Sequence, residues 1–445
     1  MSQSRRKFLK QVGWTSIGGV LIPSTLMSSC KKVFLNDFRQ FNGNVIIVGA
    51  GAAGLYAAYL LKSKGVNVKV IEAANRIGGR MGKNSSFADF PIDIGAQWLH
   101  GEKCILGDLV KKQNVEIELD DTDISYWYNN QIVDALPKDI ESLLNGGNED
   151  ISIKEFAHQQ GFDASYDSIV EGIAGDYGAD ADLMSAQYAF EEERQWSSGD
   201  NDYKFKKTFF DLINDFIVPS IEEDIVLGMP INEIDYSGDQ IVLTSNDGET
   251  YEADKVIVTV PITILQSQSI HFQPAIPSSQ KEAIDKIGMG PGMKVFLKFT
   301  NQFYPDNILG GPVCAAYANE KIGKTGQDHV LLAFVMGDQA KNLSDLGDDQ
   351  LIVNRLLEEL DEFFEGQASA SFIDAFVQDW TKDPYIQGAY SYSKVGIGEA
   401  RQIAGQNLEN KVYFAGEAMN LNGHHQTVHG AVESGYEQAM NILKG

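Results

Sequence analysis

Residues 44–55, which read N-V-I-I-V-G-A-G-A-A-G-L, have residue types and a spacing suited to holding phosphate groups. Gly49, Gly51 and Gly54 follow the pattern G-x-G-x-x-G. The first glycine permits a tight turn, the second lets the backbone approach a pyrophosphate, and the third allows a helix to pack closely on a strand. The loop, which includes Ala53, would place phosphates at a helix N-terminus, where free N–H groups favour negative charge. The stretch therefore predicts a dinucleotide site.

The elements on either side of this loop agree with that chemistry. Residues 45–48 predict a buried parallel strand, and residues 55–64 have a helical apolar pattern. A second predicted strand, residues 68–71, ends at Glu72, which lies 18 residues after Gly54. An acid at that point hydrogen-bonds a ribose hydroxyl, so the pattern favours an adenosine dinucleotide without a 2′-phosphate.

The segment that begins at Glu72 distinguishes between dinucleotides. It reads E-A-A-N-R-I-G-G-R, ends at Arg80, and is not required by a nicotinamide site. Arg80 can neutralise phosphate with two N–H groups, and the paired glycines let the chain pass close to a ligand. This run resembles the continuation found in the FAD-dependent amine oxidase family, in which the last arginine meets the pyrophosphate. The resemblance implies FAD as the cofactor.

A second motif strengthens the resemblance. Residues 93–101 read D-I-G-A-Q-W-L-H-G and resemble the family loop that lines the flavin and the amine site, most closely that of polyamine oxidases. The resemblance implies that His100 faces the active site. It implies a flavin-lining position for four residues of this loop, Gly95, Ala96, Gln97 and Trp98.

The rest of the chain keeps the family's order of motifs from about residue 42 to residue 445. The matching stretches are D-I-V-L-G-M-P-I-N-E-I-D at 224–235, Y-E-A-D-K-V-I-V-T-V-P at 251–261, G-P-G-M-K-V-F-L-K-F at 290–299, an aromatic loop at 379–392, V-Y-F-A-G-E at 412–417, and T-V-H-G-A-V-E-S-G at 427–435.

The resemblance assigns catalytic roles. Lys294 corresponds to the family lysine that reaches flavin N5 through a water and assists flavin reoxidation. Period-two alternation places Lys294 on one face of its strand and Val295 on the other, but does not tell which face meets solvent. Trp380 and Tyr390 resemble the aromatic walls of the amine site, where ring faces guide an amine or its cation. Thr427 stands where monoamine oxidases have a second tyrosine, so we expect a roomier and more polar site, as in polyamine oxidases and the related histone lysine demethylases.

The resemblance also assigns contacts to the cofactor. Ile231 is expected to meet adenine through its backbone, and Glu417, after Gly416, to contact the ribityl or pyrophosphate region. Thr427 and Val428 begin a helix whose positive dipole end would face the flavin pyrimidine. Ala389 stands where monoamine oxidases attach their flavin to a cysteine, so FAD is expected to be bound noncovalently.

The order of the motifs predicts the architecture. We expect an α/β fold with a Rossmann-like FAD-binding domain of the GR2 type and an interleaved α+β substrate domain that carries a mixed sheet. The FAD-binding domain would consist of residues 42–100, 221–285 and 395–445, and the substrate domain of residues 101–220 and 286–394. The acid-rich stretch 337–365 is expected to form a solvated helix.

Composition limits the class of partner. The net charge of −26 argues against nucleic acid, whose phosphates demand a basic footprint. The charge suits a cationic small molecule drawn in by a negative field, and equally suits mere solubility. The three cysteines, Cys30, Cys104 and Cys314, have no paired spacing, so neither a disulfide framework nor a metal site is expected.

The N-terminus predicts export. Arg5, Arg6 and Lys7 precede a short, weakly apolar run, as in a twin-arginine signal over residues 1–30. We expect the protein in the bacterial periplasm or cell envelope, with the twin-arginine export machinery as a partner and Cys30 as a candidate lipid anchor. That route carries folded proteins, which suits an enzyme that must load FAD before export.

The sequence thus predicts a flavin-dependent oxidase of a primary or secondary amine, favouring a polyamine, with hydride transfer to flavin N5 and reoxidation by O2 to H2O2. Two alternatives stay open. An L-amino-acid oxidase would need a cation for the substrate carboxylate, and the family's arginine loop for that purpose is absent from residues 93–101. A flavin-binding electron-transfer protein would not need Lys294, Trp380 and Tyr390.

Overall fold

The computed structural model describes residues 41–140, 143 and 147–445. The β-strands are β1 (Asn44–Val48), β2 (Asn67–Ile71), β3 (Lys83–Asn84), β4 (Ile92–Asp93), β5 (Trp98–His100), β6 (Ile117–Leu119), β7 (Ile124–Tyr128), β8 (Gln131–Val133), β9 (Asp202–Phe205), β10 (Ile225–Val226), β11 (Ile231–Asp235), β12 (Ile241–Ser245), β13 (Thr250–Ala253), β14 (Lys255–Val258), β15 (His271–Gln273), β16 (Ile287–Met289), β17 (Gly292–Phe299), β18 (Asn307–Leu309), β19 (Ala316–Asn319), β20 (His329–Met336), β21 (Phe372–Asp379), β22 (Ser391–Ser393) and β23 (Val412–Phe414). The α-helices are α1 (Ala52–Ser63), α2 (Ile105–Gln113), α3 (Ile153–Gln159), α4 (Asp167–Asp176), α5 (Ala186–Gln195), α6 (Phe209–Phe216), α7 (Ile262–Gln266), α8 (Ser278–Lys286), α9 (Gly337–Ser344), α10 (Asp349–Phe363), α11 (Gln367–Ser371), α12 (Ala400–Ala404) and α13 (Val428–Lys444).

A five-stranded parallel sheet, in the order β10-β2-β1-β14-β23, forms the nucleotide-binding half of the molecule. Its central strands are runs of Val and Ile because both faces of the sheet are covered. The predicted strand–helix–strand unit is present. Helix α1 begins at Ala52, earlier than predicted, because Gly51 lies in an extended conformation and serves as the N-cap.

The C-terminal helix α13 packs against α1 and completes this half of the molecule. The two helices approach closely because Gly435 has no side chain: a Cβ there would lie 2.3 Å from the carbonyl oxygen of Ala53. A smaller sheet, β13-β12-β11-β15, carries Ile231 at the start of β11.

A seven-stranded mixed sheet, β21-β17-β20-β19-β18-β7-β8, forms the other half, as predicted. Strand β17 lies between β20 and β21, both antiparallel to it, and pairs Lys294 with Phe334 and Gln378. The expected alternation is present: Val295 packs in a cluster with Leu356 of α10, whereas Phe296 packs with Phe87 and other side chains of the nucleotide-binding half. Lys294 therefore projects toward the junction of the two halves.

The hydrophobic packing does not follow the predicted domain boundaries everywhere. Leu106, Val110 and Leu212 belong to segments assigned to the substrate domain, yet they pack in one cluster with Val45 and Leu55. Helices α2 and α6 thus contribute to the hydrophobic core of the nucleotide-binding half, while the boundaries themselves stay a prediction.

The predicted export signal and the lipid-anchor candidate Cys30 fall outside the described residues and stay predictions. Within the described part of the chain, no helix has the length and apolar character needed to cross a bilayer.

The expectation of a solvated helix over residues 337–365 is wrong for one face. Helix α10 buries Glu359, whose carboxylate accepts hydrogen bonds from the backbone N–H groups of Val313 (2.5 Å) and Cys314 (3.1 Å) and from the hydroxyl of Tyr317 (2.6 Å). Burial raises the pKa of Glu359 to about 7, against the opposing effect of these hydrogen bonds. The helix is tied to the mixed sheet through this acid.

Replacing Glu359 with alanine is expected to lower the free energy of unfolding by about 1–3 kcal/mol, because buried donors lose their acceptor. Urea unfolding followed by circular dichroism measures the change. Glu358→Ala is the control, since Glu358 is exposed and pairs with exposed Arg355, an interaction worth about 0–1 kcal/mol. Equal effects of the two substitutions would contradict the anchoring role of Glu359.

Candidate active site

A cavity of about 490 Å³ is lined by residues of both halves of the molecule. It brings together every predicted site residue except one. The residues that line it are Gly49, Gly51, Ala53, Glu72, Arg80, Gly95, Ala96, Gln97, Trp98, His100, Ile231, Lys294, Trp380, Tyr390, Gly416, Glu417, Thr427 and Val428. Gly54 does not line the cavity. A Cβ at Gly54 would lie 2.0 Å from the carbonyl oxygen of Gly49, so its contribution is the close packing of helix on strand.

The glycine loop leaves free space where a phosphate would approach. A Cβ added at Gly51 would meet no atom within 4 Å, although the residue lines the cavity. The backbone of Gly49 has φ +112°, a conformation that residues with a side chain rarely adopt. A Cβ at this position would lie 2.6 Å from Oγ1 of Thr259. The N-terminus of α1 therefore opens onto the cavity with bare backbone, which fits a pyrophosphate.

Glu72 follows β2 at the carboxyl edge of the parallel sheet. Its carboxylate accepts hydrogen bonds from the backbone N–H groups of Ala50 (2.6 Å) and Ala74 (2.9 Å). Burial raises its pKa, and these two hydrogen bonds oppose the rise. The carboxylate is thus oriented at the cavity wall, in a position suited to a ribose hydroxyl.

Arg80 connects the two halves of the molecule beside this end of the cavity. Its guanidinium donates to Oε1 of Glu417 (3.0 Å) and to the carbonyl oxygen of Ala389 (2.8 Å). Burial alone would raise the pKa of Glu417, but the charge of Arg80 and hydrogen bonds from Ser391 and Gln426 hold it below its ordinary value. Glu417 is therefore a carboxylate that orients Arg80.

Helix α13 begins at the cavity wall. The hydroxyl of Thr427 caps it by accepting from the backbone N–H of Gly430 (2.9 Å) and donates to the carbonyl oxygen of His424 (2.7 Å). Thr427 lines the cavity, but its hydroxyl is occupied by these two bonds. Val428, the next residue, lies in the first turn, where backbone N–H groups lack helical partners and favour negative charge.

Lys294 is buried, with 4% of its surface exposed. Its ammonium donates to the carbonyl oxygen of Asp93 (3.1 Å) and to the side-chain oxygen of Gln97, and it lies 5.6 Å from the ring centroid of Trp98. Burial lowers the pKa of Lys294 to about 8, while the charges of Glu320 and Asp93 oppose the fall. The lysine therefore titrates close to neutral pH at the wall of the cavity.

The predicted aromatic walls are held by hydrogen bonds. The indole N–H of Trp380 donates to the carbonyl oxygen of Ile94 (3.0 Å). The hydroxyl of Tyr390 donates to the carbonyl oxygen of Gly175 (3.1 Å). Nδ1 of His100 lies 2.8 Å from Oδ1 of Asp202, which fixes the imidazole at the wall. These contacts leave the rings in set orientations around the cavity.

Sequence reasoning missed a group of acids that share this wall. Asp120, Asp176, Glu193 and Asp202 line the cavity, and the carbonyl oxygen of Asp176 lies 3.2 Å from the hydroxyl of Tyr390. One oxygen of Glu193 accepts from the hydroxyl of Tyr177 (2.8 Å), whereas its Oε2 is buried and has no hydrogen-bond partner among the described residues. No motif surrounds these acids, and the negative net charge was their only sequence signal.

The residues present fit FAD. Free space at Gly51, an oriented acid at Glu72 and a cation at Arg80 suit the adenosine diphosphate portion. Lys294, Trp380 and Tyr390 line the same cavity. Among the described residues, no group of three or more His, Cys, Asp or Glu side chains is placed to bind a metal ion.

Comparison with known families supports the predicted resemblance. The sequence model described as flavin containing amine oxidoreductase matches residues 148–443, and that of a NAD(P)-binding Rossmann-like domain matches residues 47–112. Human lysine-specific histone demethylase 2 is 29% identical over 95% of this chain, which spans only 56% of that protein. Probable polyamine oxidase 4 of Arabidopsis thaliana is 25% identical over 95% of this chain and 91% of its own length.

Solved structures confirm the fold. Putrescine oxidase bound to putrescine matches with a TM-score of 0.76 at 20% identity, over 90% of this chain and 99% of that one. Cyclohexylamine oxidase from Brevibacterium oxydans gives a TM-score of 0.76 at 21% identity with the same coverage. At this identity the likeness establishes the architecture and does not assign a substrate.

Gly51→Ala is expected to weaken FAD binding at least about 10-fold, a loss near 1.4 kcal/mol, because the added methyl occupies the space left for the pyrophosphate. The stability of the apoprotein should change by no more than about 0.5 kcal/mol, since the φ of Gly51 is −78° and the methyl meets no protein atom. Titration of apoprotein with FAD, followed by flavin fluorescence, measures the affinity.

Gly238→Ala is the control, since its Cβ would approach no atom closer than 3.4 Å and Gly238 does not line the cavity. Wild-type FAD affinity in the Gly51→Ala variant would contradict the placement of the pyrophosphate at this loop.

Proposed function

We propose that this protein, which belongs to the flavin containing amine oxidoreductase family, oxidises a primary or secondary amino group of a diamine or polyamine. The observation that carries the choice of substrate is the acidic wall of the cavity, to which Asp120, Asp176, Glu193 and Asp202 contribute. A substrate with two or more amines can present one amine to the flavin while another, still protonated, pairs with a carboxylate.

FAD is the cofactor of the family, and in this protein residues 49–54, Glu72 and Arg80 would hold its adenosine diphosphate portion. Ala389 lines the cavity and offers no nucleophile, which supports noncovalent attachment. When bound, FAD would accept a hydride equivalent at N5 and return the electrons to O2, which leaves as H2O2.

The substrate nitrogen must be neutral, because its lone pair forms the C=N bond as the adjacent C–H bond breaks with its electron pair. The aromatic walls at Trp380 and Tyr390 favour this state by desolvating the ammonium, which lowers its pKa. The distal amine meets the opposite environment, since a nearby carboxylate stabilises its charge. One cavity can thus hold a neutral reacting amine and a charged anchoring amine of the same molecule.

Lys294 supplies positive charge at the reacting end of the cavity. Gln97 and the carbonyl oxygen of Asp93 accept from its ammonium, so its donors are directed and do not rotate freely. An oriented cation near a group that becomes negative lowers the barrier of that step. With a pKa of about 8, the ammonium predominates at neutral pH and is lost as the pH rises above that value.

Glu193→Gln is expected to raise KM for putrescine and spermidine about 10- to 100-fold, since a hydrogen bond to a charged group contributes about 1.5–3 kcal/mol. Turnover of the monoamine benzylamine should change little, because it has no second ammonium. A peroxide-coupled assay of the FAD-loaded enzyme with these amines, an L-amino acid and a methyl-lysine peptide measures both effects.

Glu191→Gln is the matched control, because Glu191 lies on the same helix but outside the cavity. Equal losses for monoamines and diamines would rule out Glu193 as the distal anchor. Efficient turnover of only the L-amino acid or only the peptide would overturn the choice of a polyamine substrate.

Lys294→Met is expected to retain FAD and to slow turnover roughly 100- to 1,000-fold, which corresponds to about 2.7–4 kcal/mol of lost electrostatic stabilisation. Methionine has a similar length, so the packing of β17 should be largely preserved. Stopped-flow absorbance should time flavin reduction by the amine and reoxidation by O2 separately, since the defect is expected mainly in reoxidation.

Lys298→Met is the control, because Lys298 is on the same strand face but binds the carbonyl oxygen of Phe87 outside the cavity. If both half-reactions of the FAD-loaded Lys294→Met variant run at wild-type speed, Lys294 has no part in the chemistry.

A further inference from the structure

We infer that Glu320, which lies outside the cavity, is a positioning residue that fixes the amide of Gln97 and, opposed by Lys204, controls the charge of Lys294. This inference rests on the proposed function only in assuming that Lys294 acts on a bound flavin. Glu320 follows β19 and is fully buried, with 0% of its surface exposed.

A continuous chain of contacts links Glu320 to the active-site lysine. Oε2 of Glu320 accepts from the side-chain N–H of Gln97 (3.2 Å), and the side-chain oxygen of the same Gln97 accepts from Lys294. The same oxygen of Glu320, Oε2, also accepts from the ammonium of Lys204 (3.4 Å). The other oxygen, Oε1, is buried and has no hydrogen-bond partner in the described part of the chain.

These contacts permit only one orientation of the Gln97 amide. An ammonium can only donate, and a carboxylate can only accept, so Gln97 must turn its oxygen to Lys294 and its NH₂ group to Glu320. A neutral group in place of Glu320 would accept either orientation. The reversed amide would then direct its NH₂ group at the ammonium, and Lys294 would lose an acceptor.

Charge acts in addition to orientation. The charged groups around Lys294 are Glu320 after β19, Asp93 on β4, Lys204 on β9 and Lys324 in the loop before β20. Lys324 pairs with Asp93 (3.3 Å), as Lys204 pairs with Glu320. Burial raises the pKa of Asp93 to about 6, so its carboxylate is predominantly ionised at the pH where Lys294, with a pKa of about 8, titrates. The acids favour the ammonium of Lys294 and the two lysines oppose it.

A role in stability alone accounts poorly for this cluster. Burying ion pairs costs several kcal/mol per ion, and well-packed apolar side chains often stabilise a protein equally well or better. The cluster also places two ammonium groups, those of Lys204 and Lys294, each 5.6 Å from the ring centroid of Trp98. Only Lys294 of the two lines the cavity, which makes the rest of the cluster a means of controlling it.

The test is the midpoint potential of the bound flavin, measured by spectroelectrochemistry between pH 6 and pH 10. The wild-type protein should show a change of slope where Lys294 titrates, and Lys294→Met should abolish it. Glu320→Gln removes a negative charge and should shift this change to lower pH by about 1 unit or more, whereas Lys204→Met removes a positive charge and should shift it to higher pH.

Opposite shifts distinguish control of the charge of Lys294 from a structural role. Loss of packing would shift the pH of the slope change in the same direction in both variants. Lys298→Met, outside the cluster, should leave the change of slope in place. Shifts of the same sign, or no shift in either variant, would overturn the inference. Should Glu320→Gln fail to fold, Lys204→Met still decides, since it must shift the change upward. The potential is read without substrate, so failure of amine oxidation and failure of this inference give different results.

Discussion

The burial of a lysine ammonium where the two halves of the molecule meet is the constraint on which the active site depends. An ammonium removed from water is unfavourable unless its donors find acceptors. The acceptors of Lys294 come from residues 93–97, which belong to the nucleotide-binding half, whereas Lys294 belongs to the mixed sheet. The part of the cavity that Lys294 lines therefore forms only when the halves are docked.

The same backbone segment also holds the phosphate end of the site. The backbone N–H of Ala96 donates to the carbonyl oxygen of Arg80 (3.1 Å), and a Cβ at Gly95 would lie 1.9 Å from that oxygen. Gly95 is thus required because the two cavity-lining segments that contain Arg80 and Gly95 pass too close to each other to leave room for a side chain. One short loop sets the position of Arg80 on one side and of Gln97, with Lys294, on the other.

The sequence predicted most of what local chemistry determines. The glycine spacing, the acid at Glu72 and the strand–helix–strand unit follow from patterns within about 30 residues, and the structure places them together. The face of β17 that carries Lys294 could not be assigned from alternation, because both faces of this strand are buried. Only the family resemblance directed Lys294 to the cavity.

What the sequence did not predict depends on contacts between distant segments. Glu320 and Gln97 are 223 positions apart, so no spacing relates them. Glu193 lies on α5, whose run of charged residues at 191–194 is typical of an ordinary solvated helix. The error over residues 337–365 has the same origin. In the sequence, nothing distinguishes Glu359 from the neighbouring acids, because its donors Val313, Cys314 and Tyr317 are brought to it only by the fold.

Arg80 links the cavity to the docking of the two halves. Its guanidinium bonds to Ala389 near the end of the mixed-sheet half and to Glu417 in the nucleotide-binding half, and it also lines the cavity. A phosphate that pairs with this cation therefore binds the docked arrangement and not the separated one. A ligand that binds only one state stabilises that state by RT ln(1 + [L]/Kd), where [L] is the concentration of free ligand. FAD would thus stabilise the junction that buries Lys294. The ammonium of Lys294 would then already be oriented by its acceptors when substrate binds.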